Sequence, residues 1–266
     1  MVTAVDDPEV AESALEIGAY GYIIKPFEPN EVMINVSNAL RRRKLEIENR
    51  RHRKNLETLV LERTDKLKKT MNDLEKAIDG IIEAMGLTVE IRDPYTAGHQ
   101  KRVAEIAHAI AIEMGFSKQQ IEGLRMAGVI HDIGKMAVPA EILSKPGKIT
   151  EHEFGIIKSH SEVGYNILKK IDFPWPIAQI VYQHHERMDG SGYPQGLSGK
   201  DILLEARIMA VADVVEAMAS HRPYRPALGI DMALEEIEKN KDGVYDPEVV
   251  DACLRIFKEE KFKLSA

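Results

Sequence analysis

The sequence predicts a mainly α-helical protein in which a small α/β segment precedes a long helix and an all-α domain. Three observations support this prediction. Residues 91–266 repeat apolar side chains at helical spacing between short Pro- and Gly-containing loops, residues 41–90 contain no proline, and only residues 1–40 carry short β-prone runs. With 266 residues, 44% hydrophobic and 30% charged, the chain suffices for one large or two smaller domains, and a collagen-like or largely disordered protein is excluded.

The first segment, residues 1–40, alternates strand and helix signals. Val2 to Val5 is a short β-prone run, and Asp7-Pro8 is typical of a helix start. Tyr22-Ile23-Ile24 predicts a second strand, and Pro29 opens a further helix that we expect to run through Leu40.

The second segment, residues 41–90, predicts a long helix with a heptad-like apolar stripe. The stripe consists of residues that step mostly by four and three: Leu56, Val60, Leu67, Met71, Leu74, Ile78, Ile81 and Met85. This spacing favours a coiled-coil connector that makes a homodimer, and the alternative is an amphipathic helix packed on its own domain. Residues 41–70 hold twelve Lys or Arg against five acids, so a charge shift also marks this segment as a boundary.

Composition limits the function classes. The net charge of −7 argues against general binding to nucleic-acid backbones. No apolar run approaches the length of a membrane span, and the start of the sequence lacks the pattern of a secretory signal. A single cysteine, Cys253, excludes an internal disulfide framework, and we therefore expect a cytoplasmic protein.

Three local sequence patterns that contain histidine or aspartate suggest a metal site. His131-Asp132 follows an apolar helical run, His184-His185 precedes a glycine-rich loop, and Asp213 interrupts an otherwise apolar segment. A carboxylate in such a segment is costly to bury unless it is paired or bound to metal, so a buried salt bridge or a helix cap is the alternative for Asp213. Nitrogen and oxygen donors without thiolate favour Fe, Mn, Zn or Ni.

The order and spacing of these motifs resemble the HD-GYP phosphodiesterase family over roughly residues 90–255. The resemblance rests on the following runs: Arg92-Asp93-Pro94-Tyr95-Thr96-Ala97-Gly98-His99, His131-Asp132-Ile133-Gly134-Lys135, His160, His184-His185 followed by Gly190-Ser191-Gly192-Tyr193-Pro194, Asp213, and Arg222-Pro223-Tyr224-Arg225. It implies an HD-type helical bundle over residues 91–266.

The resemblance also implies the metal ligands. Carried over by motif, they are His99, His131, Asp132, His160, His184, His185 and Asp213, with Asp132 bridging two metals. Members of the family with a third metal often have glutamate four residues before the first histidine, where this chain has Tyr95. We therefore expect a binuclear centre, with Fe or Mn as the metal and Zn, Ni or Mg as alternatives.

The activity implied by the resemblance is hydrolysis of cyclic di-GMP to pGpG and, in some members, on to GMP. Asp132 and Lys135 would act in catalysis, with Lys135 near the scissile phosphate, and Arg222 and Arg225 would bind the substrate's phosphates. Gly192 and Tyr193 would border the active site, on a loop that the family also uses to contact GGDEF-domain proteins. The alternatives are a phosphodiesterase for another cyclic dinucleotide and a non-catalytic binding module.

Residues 1–40 resemble the C-terminal part of a two-component receiver domain. Thr3, Tyr22 and Lys25 stand where receivers have their phosphoryl-contacting threonine, switch aromatic and phosphoryl-contacting lysine. The earlier strands and the phospho-acceptor aspartate of a receiver are absent, so we expect a truncated receiver that accepts no phosphoryl group. The resemblance implies a bacterial response regulator whose full-length receiver has a sensor kinase as its partner.

Overall fold

The computed structural model describes residues 1–4, 7–92, 98–145, 147–220, 227–259 and 262. The chain divides into two compact units, Met1–Leu74 and Glu75–Ala266. The described residues contain two strands, β1 (Val2–Thr3) and β2 (Ile23–Ile24). Their α-helices are α1 (Pro8–Glu16), α2 (Pro29–Arg92), α3 (His99–Glu113), α4 (Lys118–Ile130), α5 (Ala140–Leu143), α6 (Glu151–Lys158), α7 (His160–Leu168), α8 (Ile177–Gln183), α9 (Leu204–Ala219), α10 (Ile230–Lys239) and α11 (Pro247–Lys258). Two 3-10 helices span Ile133–Ala137 and Gly199–Asp201. The mainly α prediction is confirmed.

The start of the first unit contains the predicted strands and capped helix. β1 and β2 pair in parallel with Val2 opposite Ile23, and the Lys25 N–H donates to the Thr3 carbonyl at 2.8 Å. The Asp7 carboxylate accepts a backbone N–H of the first turn of α1. This α/β arrangement agrees with the pattern of residues 1–40, and its assignment to a truncated receiver stays a prediction.

Helix α2 runs without a break for 64 residues, so the separate helix expected to end at Leu40 continues into the predicted connector. The sequence offers no proline to interrupt it between Pro29 and Pro94. Before residue 75 its apolar side chains are exposed, as at Leu56 (59%) and Leu67 (60%). Within the described residues, no helix combines the length and apolar character that crossing a membrane requires.

The last turns of α2 belong to the second unit and pack into its core. Ile82 and Val89 are buried, and a side chain at Gly86 would lie 2.8 Å from the Val129 carbonyl oxygen, so glycine lets α2 approach α4 closely. Helices α3, α4, α8, α9 and α11 supply most of the core, in which each fully buried Leu, Ile or Val contributes roughly 1.5–3 kcal/mol.

The C-terminal turn of α2 also holds the two segments in which the first predicted ligands lie. The Glu90 carboxylate accepts the backbone N–H groups of Gly98 (3.0 Å) and Gln100 (3.3 Å), on either side of His99. Arg92 donates to the carbonyls of Met136 (2.9 Å) and Val138 (3.1 Å), just beyond His131-Asp132. This turn therefore fixes the start of α3 relative to the 3-10 helix.

Candidate metal centre

Seven residues from five parts of the second unit meet at one buried site. His99 begins α3, His131-Asp132 follow α4, His160 begins α7, His184-His185 follow α8, and Asp213 lies within α9. Gly134 permits one of these approaches, because a Cβ there would lie 1.8 Å from the His160 carbonyl oxygen. All seven predicted ligands are thus brought together, and their role as ligands remains a prediction.

The seven side chains form two groups of three with Asp132 between them. His99, His131 and Asp213 form one group, which we call the carboxylate triad; His160, His184 and His185 form the other, the imidazole triad. Within each triad, one ligand atom from every residue lies within 4.8 Å of the others. A third such set joins His131, Asp132 and His184, so the two triads are contiguous.

Asp132 directs its two oxygens to different triads. Its Oδ2 atom lies 3.5 Å from His131 Nε2 and 3.8 Å from His99 Nε2, whereas Oδ1 lies 3.4 Å from His160 Nε2. The Lys135 Nζ atom lies 2.6 Å from Oδ2 and adds a cation at this point. A carboxylate in this position suits the bridging role that the sequence predicts.

Backbone carbonyls set the tautomer of three histidines. The Nδ1 atoms of His131, His160 and His184 lie 2.8, 2.6 and 2.6 Å from the carbonyl oxygens of the residues three positions earlier. Because a carbonyl oxygen only accepts, each Nδ1 must donate, and each Nε2 presents its lone pair to the site. This is the arrangement that metal-ligating histidines ordinarily have.

A buried glutamate binds Nδ1 of His99 as the backbone carbonyls bind Nδ1 of the other three histidines. This glutamate is not among the predicted site residues. Glu216, fully buried on α9, is hydrogen-bonded to His99 Nδ1. Its Oε1 atom accepts hydrogen bonds from Arg102 Nε at 2.8 Å and from Ser220 at 2.7 Å. The available signal was its position three residues after Asp213 in the same apolar segment, which places both acids on one side of α9.

At most of the donors the protonation state suits metal binding, whereas at His99 burial, which would lower the pKa, is outweighed by the carboxylates of Asp213 and Glu216, which raise it. Burial lowers the pKa of His184 to about 3 and lowers the pKa values of His131, His160 and His185 below the ordinary imidazole value. Burial alone would raise the pKa of Asp132, but Lys135 and the surrounding imidazoles hold it well below its ordinary value. Most of the imidazoles are therefore neutral and Asp132 is ionised near neutral pH.

The fit to metal ions is also supported by Gln100, which lies beside the centre. Its Nε2 donates to Asp132 Oδ2 at 3.3 Å, and its Oε1 is buried with no hydrogen-bond partner among the described residues. Buried acceptors of this kind are ordinarily satisfied by a donor. A water held at the centre would supply one, so the donor set and its surroundings fit a metal site.

The predicted substrate loop closes over the imidazole triad. Tyr193 lies with its ring centroid 4.7 Å from that of His185 and 6.5 Å from that of His160. The buried Glu186 carboxylate holds the loop by accepting the N–H groups of Gln195 at 2.7 Å and Leu197 at 3.0 Å. Gly192 packs so closely on the backbone of Glu186 that a Cβ would lie 2.5 Å from its Cα.

Other residues singled out by sequence either fall outside the described residues or are exposed. Arg222, Arg225 and Tyr95 fall outside the described residues, so the predicted phosphate contacts and the predicted absence of a third metal stay predictions. His52, His108 and His152 are exposed at the surface, as expected for histidines that match no ligand position.

Comparison with known proteins gives a family model described as an HD domain, which matches residues 83–249. The chain is 37% identical over 257 residues to the cyclic di-GMP phosphodiesterase response regulator RpfG of Xanthomonas campestris, covering 96% of this chain and 66% of that protein. It is 37% identical over 263 residues to a cyclic di-GMP phosphodiesterase of Thermotoga maritima, covering 97% and 71%. It is also 40% identical over 171 residues to the 3'3'-cGAMP-specific phosphodiesterase 3 of Vibrio cholerae, covering 64% and 37%.

Proposed function

We propose that this chain, which belongs to the HD domain family, is a metal-dependent phosphodiesterase that hydrolyses cyclic di-GMP to pGpG. The observation that carries the proposal is the position of Asp132, whose two oxygens face two separate triads of metal-type donors. The two relatives of which the chain spans about two thirds are both named as cyclic di-GMP phosphodiesterases.

We infer a binuclear centre of Fe or Mn. His99, His131 and Asp213 would hold one ion, His160, His184 and His185 the other, and Asp132 would bridge them. When bound, such ions supply Lewis acidity that lowers the pKa of water and offsets the charge of the phosphodiester. The neutral imidazoles of His131, His160, His184 and His185 and the ionised Asp132 carboxylate support this assignment.

The chain's own residues would bind and orient the substrate. Lys135, 2.6 Å from Asp132, places a cation where negative charge builds on the phosphoryl oxygens during attack. Tyr193 and Gly192 would form the wall of the site beside the imidazole triad. Arg222 and Arg225 would contact the second phosphate, for which the forked guanidinium is well suited.

A regulatory setting is part of the proposal. Residues 1–40 would be the end of a receiver domain and residues 41–90 a connector through which two copies dimerise, in a response regulator paired with a sensor kinase. The exposed apolar side chains of α2 before residue 75 support the dimer. The loop that carries Tyr193 would be the contact for a GGDEF-domain protein.

A second candidate substrate is 3'3'-cGAMP, because a relative 40% identical over 171 residues is named as specific for it. That dinucleotide has the same phosphodiester linkage and differs in one base. The centre described above would treat its phosphates in the same way.

The proposal is tested by incubating protein purified without oxygen, with Fe(II) or Mn(II), with cyclic di-GMP and separately with 3'3'-cGAMP, followed by chromatography. We expect pGpG or GMP from the first substrate, and the ratio of the two products measures how far hydrolysis runs. Hydrolysis of 3'3'-cGAMP alone would reassign the substrate. If the metal content is full and neither dinucleotide is cleaved while both bind, the chain is a binding module and the proposal is wrong.

A further inference from the structure

An exposed phenylalanine lies beside the metal centre without a role in the chemistry above. Phe154 is on α6, six residues before His160, and its side chain is 45% exposed. Single exposed apolar side chains are ordinary on protein surfaces, so it is the neighbours of Phe154 and not its exposure that suggest a role.

Phe154 continues a line of aromatic rings that starts at the imidazole triad. The Tyr193 ring lies 4.7 Å from His185 and 6.3 Å from Phe154, with the Tyr193 and Phe154 rings nearly perpendicular. In a nucleotide the base is separated from its phosphate by a ribose. A phosphate held at the imidazole triad would therefore place its base at some distance from the ligands, and Phe154, which is connected to the triad through the Tyr193 ring, is an exposed ring at such a distance.

Lys158, one helical turn after Phe154, adds a cation to this surface. Its Nζ atom lies 4.8 Å from the Phe154 ring centroid and 5.6 Å from that of Tyr193. Among the described residues no carboxylate lies within ion-pairing distance of Lys158. An ammonium group donates well to O6 and N7 of guanine, whereas adenine presents an amino donor in place of O6.

The helix that carries both residues is held in place at its start. Thr150 and Glu153 form a reciprocal capping box, and Lys145 lies 2.7 Å from the Glu153 carboxylate. The aromatic surface is therefore fixed before any ligand arrives, which reduces the entropy lost on binding.

We propose that Phe154 and Lys158 form a guanine-binding surface, with Phe154 stacking on one base of the dinucleotide and Lys158 donating to O6 and N7 of that base. This inference rests on the proposed phosphodiesterase function and adds the element that selects the base. Phe154 and Lys158 are substrate-binding residues and take no part in bond cleavage.

The test compares Phe154→Ala, Phe154→Tyr and Lys158→Ala with the wild-type chain on cyclic di-GMP, cyclic di-AMP and bis(p-nitrophenyl) phosphate. We expect Phe154→Ala to raise KM for cyclic di-GMP roughly tenfold or more, with kcat little changed, because stacking of a base on an aromatic ring contributes free energy of that size. Phe154→Tyr should retain the wild-type KM. Lys158→Ala should reduce the preference for cyclic di-GMP over cyclic di-AMP.

Bis(p-nitrophenyl) phosphate has no nucleobase and separates this inference from a structural effect. All three variants should cleave it as the wild type does, and Ile171→Ala, which removes another exposed apolar side chain, should leave every substrate unchanged. An unchanged KM for cyclic di-GMP in Phe154→Ala, or an equal loss on bis(p-nitrophenyl) phosphate, would overturn the inference. A wild-type chain that cleaves only bis(p-nitrophenyl) phosphate would instead refute the proposed function.

Discussion

The two triads of the centre differ in charge although they share the same bridge. The carboxylate triad contains Asp213 and is backed by the buried Glu216, whereas the imidazole triad contains only neutral side chains. A divalent ion at the carboxylate triad would thus have a carboxylate among its own three side chains. An ion at the imidazole triad would rely on carboxylates outside its three side chains, namely Asp132 at 3.4 Å from His160 Nε2 and Asp213 at 4.0 Å from His185 Nδ1. The two triads have the same number of side chains but differ in charge, so we expect the two ions to bind with different affinities.

The largest effect on this comparison is expected from Asp132→Ala. Removing Asp132 takes away the carboxylate that lies nearest to the imidazole triad, with Oδ1 3.4 Å from His160 Nε2, so that ion should be lost and hydrolysis should fall to background. Metal analysis, product chromatography and circular dichroism would be measured together. The helical spectrum should be unchanged, and Asp172→Ala, at an exposed position, serves as the control. Normal turnover in Asp132→Ala would contradict the assigned centre.

Removing one histidine from each triad is the next largest change. His99→Ala and His185→Ala should each lower the metal content by one ion per chain and reduce turnover by orders of magnitude, because each takes a ligand from a different triad. Titration of the metal content with Mn(II) distinguishes the two variants. His185→Ala keeps the carboxylate triad, so its remaining ion should be bound more tightly than the remaining ion of His99→Ala, which keeps the imidazole triad. Equal affinities of the two remaining ions would show that the difference in charge has no consequence.

A smaller and more selective effect is expected from Glu216→Gln. This change keeps the size of the side chain but weakens the hold on the His99 ring, and it should reduce affinity at the carboxylate triad roughly 10- to 100-fold. Calorimetric titration with Mn(II) should show one weakened and one unchanged site. The exposed Glu235→Gln is the matched control on α10. If both sites weaken together, Glu216 supports the whole fold and not one triad.

The smallest effect is the change in stability on metal removal. A ligand at about 100 times its Kd stabilises the folded state by about 2.7 kcal/mol, so a chelator should lower Tm by several degrees. Thermal unfolding followed by circular dichroism would measure the change, with re-addition of Mn(II) as the control for reversibility. A Tm that does not change with metal in the wild type would mean that the ions bind weakly at the concentrations used.

The sequence predicts which seven residues meet at the centre because most of them lie in short motifs. His131-Asp132 and His184-His185 are adjacent pairs, and the helical periodicity around them is strong enough to predict the fold class. The spacing of Glu216 from Asp213 indicates its side of α9 but not its partner His99, because that contact depends on which helix packs beside α9. The contact of Phe154 with Tyr193 likewise depends on tertiary packing. The course of α2 was also predicted only in part, since the continuity across Leu40 follows from the absence of a helix breaker and not from the apolar pattern.

The end of α2 makes the centre sensitive to torque. Glu90 and Arg92 hydrogen-bond its last turn directly to the backbone beside His99 and beyond Asp132. A rotation of this turn would therefore act on those backbone segments through the hydrogen bonds. A slip of one residue along a helix corresponds to a rise of about 1.5 Å and a rotation of about 100°. Even a fraction of that movement exceeds what these hydrogen bonds tolerate. Rotation of the last turn of α2 would therefore change the spacing between the segments that carry His99 and Asp132.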